Sequence, residues 1–395
     1  MGGVFTQTAT AGTTTTLTTN RTILANVAGS VIRVVAGTGV GYTGTVSSVL
    51  LGTNAVITVS PANGVAFDAT TQFQVHSGSL WFFNAGTVAV GFSVYDIATN
   101  AWTARSVTGV PTSWGTTGQL VSTPSAVKVF ATGTATAGGA STLTNGGKSW
   151  ATNMWANYQV RITAGTGNGQ IRTIASNTGT VLTTSAAWTV NPSTDSVYSI
   201  EGNDDNFYLL GNNAVTMYKY VVSTNTWSTL SPTAARSGAM AGGGTAEWVD
   251  NVTGWDNETA VAHTSTLSRQ NGRYIYCFRG GAASTLDVYD IAANTWISGL
   301  TYGGQLETFT VGSSAVDLDG KIYIQKEATG RLFEFDIAAN RLKPFSTNVM
   351  QVVLGGTAVE GDKLAILQYT DGATEIPFLY QIRHSSTDCN RVLVF

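Results

Sequence analysis

The sequence predicts an all-β protein: a β-propeller of about five blades, with two homologous small β-barrel or sandwich modules, one N-terminal and one inserted. Three observations lead there. A nine-residue phrase, with an aromatic seven residues ahead of a Trp or its Leu substitute, occurs four times. Each copy follows a short apolar run and a Gly- or Asn-containing turn. A separate stretch of about 70 residues occurs twice, at an offset of 125 to 128 residues. Repeats that cannot bury their own apolar face must stack on neighbours, so the repeat decides the architecture.

The four phrases are Val94-Tyr95-Asp96-Ile97-Ala98-Thr99-Asn100-Ala101-Trp102, Lys219-Tyr220-Val221-Val222-Ser223-Thr224-Asn225-Thr226-Trp227, Val288-Tyr289-Asp290-Ile291-Ala292-Ala293-Asn294-Thr295-Trp296 and Glu334-Phe335-Asp336-Ile337-Ala338-Ala339-Asn340-Arg341-Leu342. The runs Leu80–Phe83, Phe207–Leu210, Ile275–Phe278 and Ile322–Ile324 precede them. Each unit reads as strand, glycine turn, strand, asparagine turn, strand. The Asn stands where a tight turn needs a residue tolerant of a left-handed backbone. The aromatic and the Trp then meet on neighbouring strands and pack against the next unit.

Along the chain this gives a small β-module over 1–78, a first blade over 79–130, a second module over 131–202 and the remaining blades over 203–395. Thr8-Ala9-Thr10-Ala11-Gly12 recurs as Thr134-Ala135-Thr136-Ala137-Gly138, and Ile32-Arg33-Val34-Val35-Ala36-Gly37-Thr38-Gly39 as Val160-Arg161-Ile162-Thr163-Ala164-Gly165-Thr166-Gly167. The steps between motifs are 125, 69 and 46 residues. The last is an ordinary blade of about 40 to 50; the middle one leaves an extra loop of about twenty residues, and the first holds a whole module between the first two blades. A fifth blade is expected from Lys363 to Phe395, with Arg391 to Phe395 closing the ring on N-terminal blade sequence, because closure removes exposed strand edges.

The blade sequences resemble the kelch repeat of β-propellers, in which a Gly pair precedes a Tyr and then a Trp. Gly280, Gly281, Tyr289 and Trp296 match best; the first two copies lack the full glycine pair, and the fourth has Phe335 and Leu342 instead of Tyr and Trp. The duplicated module, best seen over Thr134–Ile200, resembles a β-module that recurs in structural proteins of tailed bacteriophages. The resemblance carries no chemical residues and implies context: a virion, with synthesis in the host bacterial cytoplasm.

Hydrophobic residues make up 43% of the chain and charged residues 11%, against roughly 25% charged in ordinary globular proteins. Thr, Ser, Asn and Gly must therefore form the surface, which is poor at repelling copies of itself. A net charge of −3 without a basic run offers no footprint for nucleic acid or an anionic membrane. The apolar runs are strand-sized, and the N-terminus has neither basic n-region nor apolar h-region, so neither a membrane span nor Sec-type export is expected. Cys277 and Cys389 make no disulfide framework; buried free thiols are expected, with a bridge between them as the alternative.

Candidate chemistry is sparse. Gly37-Thr38-Gly39-Val40-Gly41 and Gly165-Thr166-Gly167-Asn168-Gly169 lack the following helix of a phosphate loop and read as turns. His76, His263 and His384 lie too far apart for a metal-ligand pair, and Asp204-Asp205 reads as a polar turn rather than a calcium site. Asp250, Asp256, Glu258 and Glu307 are the candidate glycosidase carboxylates, which would have to converge in pairs. The extra loop, Gly244 to Gln270, holds Trp248, Trp255 and Asn257, suited either to a subunit interface or to stacking on a sugar ring. The expectation is a non-enzymatic virion structural protein, a head decoration, collar or tail-associated component, without cofactor or metal. Its partners would be other virion proteins and copies of itself; the alternative is a receptor- or glycan-binding adsorption protein.

Overall fold

The computed structural model describes residues 3–19, 30–50, 55–77, 79–84, 91–96, 101–110, 119–122, 129–202, 206–211, 216–222, 224–238, 240, 244–249, 252, 255, 267, 272–280, 285–304, 307–309, 314–318, 320–326, 331–347, 350–351, 363–371, 374–382 and 389–393. Every regular element among them is a β-strand.

Each repeated phrase folds as two antiparallel strands: Gly91–Asp96 with Ala101–Ala104, Met217–Val221 with Thr226–Leu230, Leu286–Asp290 with Thr295–Leu300, and Arg331–Asp336 with Arg341–Pro344. The seven-residue spacing sets the register. Tyr95 lies directly opposite Trp102, Tyr220 opposite Trp227, Tyr289 opposite Trp296 and Phe335 opposite Leu342. The turn needs one left-handed residue, and Asn225, Asn294 and Asn340 supply it with φ of 55°, 49° and 49°. Asn tolerates that region because its short amide can bond locally.

Further strands extend each pair into an antiparallel meander. Ser79–Asn84 joins the first, Gln119–Ser122 and Asn206–Leu210 the second, Thr245–Trp248 and Tyr274–Phe278 the third, Ser314–Leu318 and Lys321–Lys326 the fourth. These four sheets are the blades of a propeller-like arrangement. A three-stranded sheet of Lys363–Asp371, Thr374–Ile382 and Cys389–Leu393 follows them. The strands Gln119–Ser122, Thr245–Trp248, Ser314–Leu318 and Lys363–Asp371 lie side by side in that order, forming the inner course. The described part of the last strand, Cys389–Leu393, pairs with Thr374–Ile382 and extends that sheet; ring closure through 394–395 lies outside the described residues.

The blades stack by faces, and each interface is its own apolar cluster. Phe92 of the first blade packs with Phe207, Leu209, Tyr220 and Trp227 of the second. Tyr208 and Leu210 of the second meet Ile275, Cys277, Tyr289 and Trp296 of the third. Tyr276 and Phe278 of the third meet Ile322, Phe333, Phe335 and Leu342 of the fourth, whose opposite face places Tyr323 and Leu332 against Leu364. Strand alternation explains the pattern, because neighbours such as Phe207 and Tyr208 point to opposite faces and so serve different interfaces. Each side chain buried in this way stabilises the stack by roughly 1.5–3 kcal/mol.

Two seven-stranded sheets accompany the blades and share one strand order. Numbering strands by their order along the chain within each sheet, both run 1-7-4-5-6-3-2, over Gly3–Ser77 and over Val129–Glu201. Gly37, Gly39 and Gly41 sit in the fourth-to-fifth turn of the one with positive φ, as Gly165, Gly167 and Gly169 do in the other. At Gly37 and Gly165 a Cβ would stand 1.8 and 2.1 Å from the carbonyl oxygens of Thr70 and Asp195, so only glycine fits.

The second of these sheets interrupts a blade rather than separating two. Gln119–Ser122 pairs with Asn206–Leu210, and all seven strands lie between them in sequence. A hairpin neighbour need not be a sequence neighbour when an insertion returns the chain close to where it left. That sheet also shares a core with the propeller: Phe130, Trp155, Tyr158 and Tyr198 belong to the same cluster as Tyr208, Trp248 and Tyr289. The first seven-stranded sheet has a separate core around Leu17, Ile32, Phe67 and Phe73.

Candidate functional site

The recurring constellation is a clasp between blades, built from the motif aromatic, its asparagine and the trailing segment of the preceding blade. In the second blade Tyr220 Oη donates to Asn225 Oδ1 at 2.8 Å, and the backbone N–H of Ser106, beyond the first blade, donates to that same oxygen at 2.9 Å. Trp227 Nε1 donates to the Ser106 carbonyl at 2.8 Å. In the third blade Tyr289 Oη donates to Asn294 Oδ1 at 2.7 Å, while Asn294 Nδ2 donates to the Ser231 carbonyl of the second blade's trailing segment at 3.3 Å. The fourth blade keeps the link across blades, Asn340 Nδ2 to Thr301 O at 3.1 Å, although Phe335 has no hydroxyl to offer. Asn thus serves as left-handed turn residue, internal acceptor and bond between blades at once.

The Asp that follows the aromatic has its own function, which the sequence reading missed. Asp290 Oδ1 accepts the Ala293 N–H at 3.0 Å and Asp336 Oδ1 the Ala339 N–H at 2.9 Å, fastening the turn from within. Asp290 also pairs with Arg273, whose Nη2 lies 2.7 Å from Oδ2. An Asp followed three residues later by the turn was the available signal; the second copy, with Val221 there, lacks it.

A second set of polar contacts ties the segment after the second blade to the third blade. Asp287, fully buried, accepts from Ser237 Oγ at 2.7 Å, Ser237 N at 3.2 Å and Gly299 N at 2.7 Å. Arg279 Nη1 donates to Ser237 Oγ at 3.0 Å, and Arg236 lies over the Trp296 ring at 5.5 Å. Cys277 is buried beside this group with its Sγ 3.1 Å from Met240 Sδ. It is a free thiol, so the alternative of a bridge to Cys389 is set aside. Burial pushes the Cys277 thiol up to about 12, which leaves it protonated and unreactive at neutral pH.

Trp248 is not a loop residue. It ends the inner strand Thr245–Trp248 of the third blade, is 3% exposed, and donates its indole N–H to the Gly272 carbonyl at 2.9 Å. The segment from Gly244 therefore begins as blade, because Thr245-Ala246-Glu247-Trp248 pairs with Phe278 back to Ile275. Trp255 is partly buried against the cluster between blades three and four. Asn257 and His263 lie outside the described residues, as do Gly281, Asp250, Asp256, Glu258, Asp204 and Asp205. Gly280 has φ of 73° at the turn after Tyr274–Phe278. Glu307 is held by Lys326 Nζ at 2.6 Å. Among the described residues no three His, Cys, Asp or Glu side chains gather as a metal site.

The glycine turns are latches of their sheets. Asp68 Oδ2 accepts Thr38 Oγ1 at 2.6 Å, and Asp195 Oδ2 accepts the Thr166 N–H at 3.1 Å. Hydrogen bonds from Thr38 and Thr70 hold the Asp68 carboxyl below its ordinary range, and bonds from Ser193 and Thr166 do so for Asp195. The Thr38 N–H donates to Thr70 Oγ1 at 3.1 Å and the Thr166 N–H to Asp195, so both are satisfied by the protein's own side chains rather than turned to an open anion site.

The motif pair of the first blade differs from the others in one respect. Trp227, Trp296 and Leu342 are 8%, 3% and 0% exposed, whereas Trp102 is 61% exposed and Phe82 on the same face 58%. Trp102 rests against Tyr95 at 5.1 Å and Phe82 at 6.4 Å between ring centroids.

No family model matches the chain, and no curated protein matches it. Among solved structures it is similar to a protein of unknown function from Bacteroides thetaiotaomicron VPI-5482, at 11% identity and a TM-score of 0.21, covering 93% of this chain and 91% of that one. It is similar to the phage phi92 endosialidase at 9% identity and TM-score 0.25, covering 96% of this chain and 63% of the other. An auxiliary nutrient binding protein from the same Bacteroides strain gives 9% identity, TM-score 0.25 and coverage of 92% and 90%. These likenesses carry no functional weight at such scores.

Proposed function

We propose that this chain is a non-enzymatic structural component of a tailed-phage particle, a head decoration, collar or tail-associated protein that works through protein–protein contacts. One observation carries the reading: the inserted seven-stranded sheet and the blades share a single core, from Phe130 and Trp155 through Tyr208 to Trp296. A shared core holds two lobes as one stiff body, whereas lobes meant to move are joined by small polar interfaces. The repeated aromatics, amides and carboxylates hold blades together, as the Tyr–Asn clasp and the buried Asp287 show. The low content of charged residues, 11%, suits a surface that meets other protein. In finer detail, the first blade and the terminal sheet would be the two ends of a kelch-like series of about five, and the two seven-stranded sheets copies of one module. Phage particles assembled with this gene product and purified by density gradient should contain the chain at a fixed ratio to the capsid or tail proteins by quantitative mass spectrometry. Particles that lack the chain overturn the proposal.

A further inference from the structure

We infer that Asn63 is a site of spontaneous covalent modification, at which the folded chain converts its own asparagine to aspartate and isoaspartate through a succinimide. Asparagine followed by glycine is the labile pair, because glycine has no side chain to shield its amide nitrogen or to restrict the turn that brings it to the asparagine carboxamide. The sequence holds four such pairs, beginning at Asn63, Asn145, Asn168 and Asn271. Asn271 lies outside the described residues, and the structure separates the other three. The Gly146 N–H donates to Thr136 Oγ1 at 2.9 Å, and the Gly169 N–H to the Ile162 carbonyl at 2.8 Å. Among the described residues nothing accepts the Gly64 N–H. Gly64 is exposed, and a Cβ there would meet nothing within 4 Å, so its backbone has room to turn.

The Asn63 amide is held as loosely as its neighbour. Its Nδ2 is buried without a hydrogen-bond partner, over Gly39, where a Cβ would stand 2.7 Å from it. In the second seven-stranded sheet the corresponding glycine, Gly167, is covered by the Gln170 amide. That amide donates to Gly167 O at 3.1 Å and Val190 O at 2.8 Å, and accepts from Thr189 N at 2.7 Å and Val190 N at 3.1 Å. Asn145 is bonded as well, from Nδ2 to the Tyr198 hydroxyl at 3.0 Å. A buried N–H without a partner raises the free energy of the native amide, so at Asn63 the starting state is disfavoured. The conversion needs only water. The Gly64 nitrogen gives its proton to hydroxide and attacks Asn63 Cγ; the new N–Cγ bond closes a five-membered ring, the Cγ–Nδ2 bond breaks, and ammonia leaves with a proton taken back from water. Water then opens the ring. Cleavage of the N–Cγ bond gives aspartate, and cleavage of the bond from the same nitrogen to the Asn63 backbone carbonyl carbon gives isoaspartate. Either product brings a negative charge to the contact with Gly39, where burying it unpaired is costly, so that contact has to open. The inference stands whether or not the chain is a particle component.

The test is peptide mapping by mass spectrometry of the full native chain held in mildly alkaline buffer, with the urea-unfolded chain in parallel. In the native chain, conversion at Asn63 should outrun that at Asn145 and Asn168 at least about tenfold, since their glycine N–H groups must first give up a hydrogen bond. On unfolding the difference should largely vanish. Isoaspartate, read by isoaspartyl methyltransferase labelling, should accompany aspartate at Asn63. Gly64→Ala, whose Cβ has open space, should keep the melting temperature and slow conversion at Asn63 at least about tenfold. A native rate at Asn63 no higher than at Asn145 and Asn168 overturns the inference. So does Gly64→Ala converting at the wild-type rate, or aspartate formed without isoaspartate, since either takes the succinimide out of the route.

Discussion

Replacing Asn294 by Ala removes three things whose sizes can be worked separately. The Tyr289 hydroxyl loses its acceptor at 2.7 Å while its ring stays buried, which costs about 1–3 kcal/mol. The backbone at φ 49° then carries a side chain without local amide compensation, at about 1 kcal/mol. The 3.3 Å bond to Ser231 O is long and adds little. The sum is about 2–4 kcal/mol. Asn340→Ala is the built-in control: its φ is the same 49°, but Phe335 has no hydroxyl to strand. It should cost only about 1–2 kcal/mol, from the backbone and the bond to Thr301 O. Asn294→Gly restores the backbone and leaves only the hydrogen-bond loss, and in a Tyr289→Phe background Asn294→Ala should fall to the cost of Asn340→Ala. Urea unfolding followed by tryptophan fluorescence measures all four. Equal losses for Asn294→Ala and Asn340→Ala, or a Gly variant no better than Ala, would refute the clasp as described.

Other expectations follow from the same geometry. Trp227→Ala should cost about 3–5 kcal/mol, whereas Trp102→Ala, at 61% exposure, should leave the monomer's stability within about 0.5 kcal/mol; thermal unfolding at low protein concentration separates them. Gly165→Ala should destabilise more than Gly169→Ala, because a Cβ meets Asp195 O at 2.1 Å at the first position and nothing within 4 Å at the second, although both have positive φ. Cys277 should react with a thiol reagent only after denaturation, since its thiol is buried and its pKa raised to about 12. The Asp195 carboxyl is depressed in the folded state by Ser193 and Thr166. Its contribution is therefore complete above the ordinary carboxylate range, about pH 4, and is lost as pH falls through the depressed folded value. Asp195→Asn should flatten the acid side of the stability profile in equilibrium unfolding, and an unchanged profile would show that the latch contributes nothing.

Much of the fold was legible in the sequence because its cause is local. A seven-residue step from aromatic to Trp with an Asn two residues before the Trp admits few geometries other than a two-strand turn, and Tyr289 indeed faces Trp296 across one. The all-strand character and the turn glycines were legible for the same reason, since Gly37 and Gly165 answer to a steric demand of their own backbone. What the candidate loop would do was not legible. Trp248 sits among amides and loop-like residues in sequence, yet pairing with Ile275 and a bond to Gly272 O make it core.

By itself, then, the sequence determined the repeat, its register and the residue types at each turn, because alternation and backbone sterics act over a few neighbours. Tertiary structure alone decided which strand completes which blade. Gln119–Ser122 pairs with Asn206–Leu210 across a seven-stranded insertion, and no pattern within either strand encodes so distant a partner. It also decided which copy of one motif is buried and which is exposed. Trp227 and Trp102 stand in the same local sentence, 125 residues apart, yet are 8% and 61% exposed. Burial belongs to the stack and not to the strand.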